Sequence, residues 1–66
     1  MELTVNGQPE LLATGSTMSA LLTHLSLANR RIAIEVNHEI VPRSIYGRFQ
    51  LHEGDRVEIV HAIGGG

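Results

Sequence analysis

Met1-Glu2-Leu3-Thr4-Val5-Asn6-Gly7-Gln8-Pro9-Glu10-Leu11-Leu12-Ala13 decides the fold. Met1, Leu3 and Val5 alternate with Glu2, Thr4 and Asn6, the period-two pattern of a strand that buries one face. Asn6-Gly7 then predicts a tight hairpin, because a type I′ turn needs positive φ at both central residues. The returning strand, roughly Gln8 to Ala13, contains Pro9. Proline has no N–H to give to a ladder, so this strand belongs at a sheet edge.

Working outward, Thr14-Gly15-Ser16-Thr17 breaks the strand pattern, and Ser16 or Thr17 is the expected N-cap of a helix. Neither has Glu or Gln three residues on, so no capping box selects between them. Met18, Leu21, Leu22 and Leu25 fall at i, i+3, i+4 and i+7, one stripe of a helix with an apolar face for the sheet. Asn29 is the residue expected to turn the chain after it. Ile32, Ile34 and Val36 alternate with polar neighbours in a third strand, and Asn37-His38 is the next bend. Glu39-Ile40-Val41 is a short extended piece, and Pro42 keeps Val41 out of helical angles. In Arg43 to Leu51, Ile45, Phe49 and Leu51 are expected to close one end of the core, and Gly47 argues against a long helix. Glu53-Gly54-Asp55 turns the chain into Arg56 to His61, where Val57 and Ile59 face inward. Hairpin, crossover helix and later strands make an α+β layer pair with a right-handed crossover. With the Pro9 strand at an edge and the first and last strands in the middle, this is the ubiquitin-like β-grasp, a mixed β-sheet with one helix on one face.

The last apolar run, Val57 to Ile63, passes directly into Gly64-Gly65-Gly66. Residues 1–63 are therefore expected to form the domain and residues 64–66 a flexible glycine tail. Glycine costs the most backbone entropy to order and admits the closest approach of another surface. Three in a row do nothing for a fold, but they suit a strand threaded through a narrow channel with an unhindered carboxyl at its end. The alternative is a merely frayed end.

At 66 residues the chain has room for one modest core. A domain of this size buries only about 60% of the surface its unfolded chain exposes, and its stability is expected to be about 3–5 kcal/mol. It has no cysteine, so it holds no disulfide and no thiolate, which fits a reducing compartment. The formal net charge is −2, and five arginines are outweighed by seven acids with one Tyr and one Phe for stacking, which argues against nucleic acid. No apolar run is long enough for a membrane span and the N-terminus lacks a basic leader, so the expected location is cytoplasmic. There is no lysine, so no side-chain amine could capture an activated carbonyl on the chain itself.

The hairpin start, the leucine helix opened by Thr17, Asn37-His38-Glu39-Ile40-Val41-Pro42-Arg43, the Glu53-Gly54-Asp55 turn and the final Gly65-Gly66 together resemble the ThiS family of sulfur carrier proteins in thiamine thiazole biosynthesis. The likeness runs over essentially the whole chain, and Ile40-Val41-Pro42-Arg43 with the diglycine are its specific parts. Tyr46, where the family leads one to expect a larger aromatic, and Gly64, which makes the tail a triglycine, depart from it. The resemblance implies that an E1-like adenylyltransferase of the ThiF type uses ATP and Mg²⁺ to adenylate the Gly66 carboxylate. A persulfide-bearing protein would then supply sulfur for a thiocarboxylate, which a thiazole synthase of the ThiG type consumes. Gly64 and Gly65 would carry Gly66 into those active sites. The chain would be a co-substrate and not an enzyme, with no cofactor and no metal of its own. The molybdopterin synthase small subunit, usually longer, shares these features, and a ubiquitin-like modifier or plain interaction module is the reading from another class.

His24, His38, His52 and His61 show no pair at i, i+3 or i+4 and no cysteine joins them, so the metal signal is weak and solvated histidines are expected. His61, close to the tail, could instead help dock a partner. Glu2, Glu35 and Glu58 are expected to line up on the outer face of the central strands, with Ala33 and Val60 among them. Glu58 and Val60 are assigned there to partner docking, by steering around a small apolar contact. An ordinary solvated face is the alternative. Arg30-Arg31 and Arg43 could form a charged contact for acidic partners, with ordinary solvated arginines as the alternative, and Arg43 could equally anchor its own loop.

Overall fold

The computed structural model describes residues 1–61. The expected domain limit at Ile63 and the glycine tail lie outside them. The chain forms strands β1 (Glu2–Val5) and β2 (Gln8–Leu11), helix α1 (Met18–His24), β3 (Ile32–Val36), β4 (Glu39–Val41), a 3₁₀ turn at Arg43–Ile45, and β5 (Arg56–His61). The strands make one sheet in the order β2-β1-β5-β3-β4. Only β1 and β5 are parallel, in register Thr4 to Arg56 and Val5 to Val57. The Pro9 strand is at the edge, where a missing N–H costs the ladder nothing.

The two hairpins turn through paired left-handed residues, Asn6 and Gly7 at φ 50° and 81°, and Asn37 and His38 at φ 52° and 70°. Asn6 does more than turn. Its Nδ2 donates to the Ile59 carbonyl at 3.2 Å and its Oδ1 accepts from the Ile59 N–H at 2.8 Å. Past Val5 the β1 backbone veers into the turn, and this amide continues the ladder along β5 in its place. The Asn37 side chain meets the β5 backbone once, its Oδ1 accepting from the Arg56 N–H at 3.0 Å, while its Nδ2 donates to the Asp55 carboxylate at 3.1 Å.

Thr17 is the N-cap, its hydroxyl accepting from the Ala20 N–H at 3.2 Å. Ser16 instead donates to the Ala13 carbonyl. Met18, Leu21 and Leu22 are buried and Leu25 half-buried, so the stripe faces the sheet as its spacing requires. The helix ends at the C-cap Leu25. Ser26, not Asn29, is the left-handed residue, at φ 61°. Leu27 N–H donates to Leu22 O at 2.7 Å and Ser26 N–H to Thr23 O at 3.1 Å, the two bonds of a Schellman cap. The half-buried Leu27 supplies its apolar contact.

Leu3, Val5, Ile34, Val36, Val41, Val57 and Ile59 meet α1 across the core, and Leu51 closes one end at 2% exposure. Each side chain of this kind contributes about 1.5–3 kcal/mol by leaving water. Tyr46 joins them, which the sequence reading missed, while Ile45 and Phe49 are only half-buried. The second strand is shorter than expected, ending at Leu11, although Leu12 and Met1 still exchange hydrogen bonds at 2.9 and 3.0 Å.

Candidate functional site

β5 is the central strand, flanked by β1 and β3, and it is the strand that leads toward the glycines. Its last described residue, His61, pairs with Ile32 at the start of β3. Gly64, Gly65 and Gly66, where the carboxyl chemistry is expected, lie outside the described residues. What the structure does place is the platform they leave from.

Val57 and Ile59 point into the core, which turns Arg56, Glu58 and Val60 outward. Val60 lies opposite Ala33, and Glu58 opposite Glu35, which in turn pairs with Ile40 of β4. Val60 and Ile40 are 64% and 77% exposed, unusual for branched aliphatics, and together with Ala33, Glu35 and Glu58 they line a shallow depression of about 170 Å³. A small apolar centre thus sits between carboxylates. Ile40 is the residue that sequence reasoning did not assign to this face. The signal was present: Ile40 is out of phase with Val41, so if one is buried the other must be outside.

Glu2 does not join Glu35 and Glu58, contrary to expectation. The parallel register sets Thr4 against Arg56, so Glu2 lies level with the turn before β5. There its N–H donates to Glu53 Oε1 at 2.9 Å and its carbonyl accepts from Gly54 at 2.7 Å. Alternation fixes the face Glu2 takes, but the stagger between strands is set by pairing partners distant in sequence.

His38 projects from its turn to within 3.8 Å of Glu58, Nδ1 to Oε1. With Glu35 it forms a cluster whose ligand-type atoms lie within 4.8 Å of one another. Spacing along the chain could not reveal it, because Glu35 and Glu58 meet only through strand pairing. The cluster is largely exposed, as solvated acidic faces commonly are. A second open depression, about 390 Å³, lies beside it between the Asn6-Gly7 turn and His38. His24 pairs with Glu10 at 3.2 Å on the opposite edge.

Arg43 opens the 3₁₀ turn and its Nη2 donates to the Arg30 carbonyl at 3.2 Å, so it does anchor the loop that precedes β3. It also acts on Tyr46. Burial raises the Tyr46 hydroxyl above the ordinary phenol range, and the Arg43 guanidinium partly offsets this.

No helix among the described residues is long and apolar enough to cross a membrane. The family model described as the ThiS family matches residues 1–66. The chain belongs to the ThiS family. Its curated relatives include a thiazole synthase of Paramagnetospirillum magneticum, 42% identical over the whole of this chain, which spans only 20% of that relative's length. They also include the sulfur carrier protein ThiS of Escherichia coli, 30% identical over the full length of both. The crystal structure of the thiamine biosynthesis protein ThiS from Geobacter metallireducens superposes with a TM-score of 0.85 at 33% identity, covering all of both chains. The sheet order and single helix are therefore those of a ThiS-type ubiquitin-like β-grasp.

Proposed function

We propose that this ThiS-family chain is a cytoplasmic sulfur carrier for thiazole formation in thiamine biosynthesis, a co-substrate whose Gly66 carboxylate is the reacting group. The observation that supports it furthest is the family match through residue 66, diglycine included, alongside full-length relatives called sulfur carrier proteins. Relatives named for thiazole and thiamine favour this pathway over the molybdopterin synthase small subunit.

The chemistry comes from the group available. A carboxylate resists substitution because its leaving group would be oxide. An adenylating partner of the ThiF type, using ATP and Mg²⁺, joins the Gly66 carboxylate to the α-phosphate with release of pyrophosphate, and AMP becomes the leaving group. A protein persulfide attacks the acyl carbon and AMP departs, and a thiol then cleaves the sulfur–sulfur bond to leave the thiocarboxylate. A thiazole synthase of the ThiG type consumes that sulfur. This chain contributes no acid, base or metal to these steps; it contributes a slim tail and a surface to hold. Gly64 and Gly65 reach through the partner's channel, and the outer face around Val60, Ile40 and Glu58 docks, its apolar centre excluding water and its carboxylates steering approach. The thiazole synthases that contain a stretch like this chain are consistent with such an encounter.

Gly66→Ala tests the role of the tail without touching the described platform. Incubated with ATP, the adenylating partner and a persulfide donor, it should lose thiocarboxylate formation while its thermal melt stays that of the wild type. Undiminished loading of the variant would move the reacting group away from an unhindered glycine end.

A further inference from the structure

Three of the five arginines gather at one end of the sheet. Ile32 pairs with His61, so Arg30 and Arg31, immediately before β3, lie beside the point where β5 leads on toward Gly66. β4 runs antiparallel to β3 and its Val41 pairs with Ile34, so the chain continuing through Pro42 brings Arg43 to the same end. The hydrogen bond from Arg43 Nη2 to the Arg30 carbonyl fixes that proximity. All three arginines are exposed.

None of the seven acids shares this end. Glu35 and Glu58 pair at mid-sheet, and Glu39 pairs with Val36 at the far end. Asp55 is bonded to the Asn37 turn there, and Glu2 and Glu53 are bonded together beside it. Glu10 is across the sheet on β2, paired with His24. The two side-chain contacts of carboxylates with basic groups among the described residues, His24–Glu10 and His38–Glu58, involve no arginine. A chain of net charge −2 thus holds a cluster of guanidiniums with no acidic side chain beside them among the described residues, at the end of the sheet where β5 leads toward the glycines. Guanidinium is weakly hydrated and matches carboxylate in a two-pronged geometry, which suits it to ion pairs at interfaces.

We propose that Arg30, Arg31 and Arg43 form a collar that seats on a carboxylate-rich rim around the partner channel that takes in the tail. The inference rests on the sulfur-carrier reading. Gly66 lies five residue steps beyond His61, a reach of at most about 18 Å, so with the tail threaded inward the collar meets the rim and not the reacting carboxyl. The collar is basic where the outer sheet face is acidic. A carrier rotated end for end would set acid against acid, so the pair of charges fixes orientation as well as rate.

The test is ATP–pyrophosphate exchange with the adenylating partner from the source cell, measured against carrier concentration across ionic strength. Arg30→Glu with Arg31→Glu is compared with wild type and with Arg30→Lys plus Arg31→Lys, leaving the loop-anchoring Arg43 intact. Reversal should raise KM by about tenfold at low salt with kcat unchanged, as for lost electrostatic steering. The gap should close toward about 1 M salt, where the Debye length falls to about 3 Å, and the lysine pair should stay near wild type. A reversed variant with wild-type KM and salt slope overturns the collar, as does a loss that persists in full at high salt. A wild type that gives no exchange at all overturns the sulfur-carrier reading itself, and the collar with it.

Discussion

Asn6 holds the tail-bearing strand, and removing its side chain should cost much of the domain's stability. Its amide makes both hydrogen bonds that the peptide of Ile59 presents toward β1, at 2.8 and 3.2 Å. Ile59 is only 6% exposed, so water replaces those bonds poorly. Asn6→Gly accepts the φ of 50° as readily as asparagine does, so the lost bonds are its main effect. At about 0.5–1.5 kcal/mol for each, the expected loss is about 1–3 kcal/mol. Asn6→Ala loses the same bonds and keeps a Cβ in the left-handed region without the local polar group that lets asparagine tolerate it, a cost of up to roughly 1–2 kcal/mol relative to glycine. Against a total of about 3–5 kcal/mol, the glycine variant should fold with a lowered midpoint and the alanine variant should be largely unfolded at room temperature. Urea unfolding followed by circular dichroism measures both, and hydrogen exchange at the Ile59 amide should quicken in Asn6→Gly beyond the global change. If Asn6→Gly lies within about 0.5 kcal/mol of wild type, the amide is not a substitute ladder and the reasoning fails.

Other outcomes rest on the same geometry. Ser26→Gly relieves the left-handed residue of the Schellman cap and should raise stability by about 1 kcal/mol in urea unfolding. The raised Tyr46 pKa means the native state keeps a proton that the unfolded state releases, so stability is full below the ordinary phenol value of 10.0 and falls as pH rises beyond it. Tyr46→Phe should remove that component of the alkaline loss, which thermal melts at successive pH values above 10 would reveal as a flatter slope. Glu58→Arg replaces a like-charge pair with Glu35 across the strands and should stabilise by about 0.5 kcal/mol. The same change should raise KM for adenylation and alter its salt dependence. Improved stability with unchanged adenylation would leave the outer face as ordinary solvated surface.

The fold was legible wherever a local pattern had one physical solution. Alternation in residues 1–5 and 32–36, Asn6-Gly7, Pro9 and the leucine stripe each constrain their own segment, and the structure keeps all of them. What escaped was set by partners far along the chain. Glu2 belongs to the expected side of β1, but its distance from Glu58 depends on the parallel stagger of β1 on β5. Tyr46 looks like one more residue of an irregular stretch, and only the 3₁₀ turn after Pro42 directs its ring into the core. Asn29 is a better sequence candidate than Ser26 for the turning residue because asparagine tolerates positive φ better. The Schellman bonds of Ser26 and Leu27, with Leu27 packed against the core, close the helix before Asn29 is reached. On the candidate site, Glu58 and Val60 were legible as the outward phase of β5. The Arg30–Arg43 contact and the His38–Glu58 approach were not, since each joins segments that only the sheet brings together.

The most direct measurement of the central claim is the intact mass of the protein after incubation with ATP, Mg²⁺, a persulfide donor and the adenylating partner, with and without a thiol alkylating reagent. The expected species is heavier by the difference between sulfur and oxygen and alkylated once although the chain has no cysteine, with fragmentation placing the change at Gly66. An unmodified mass under those conditions, or a change placed elsewhere in the chain, would contradict it.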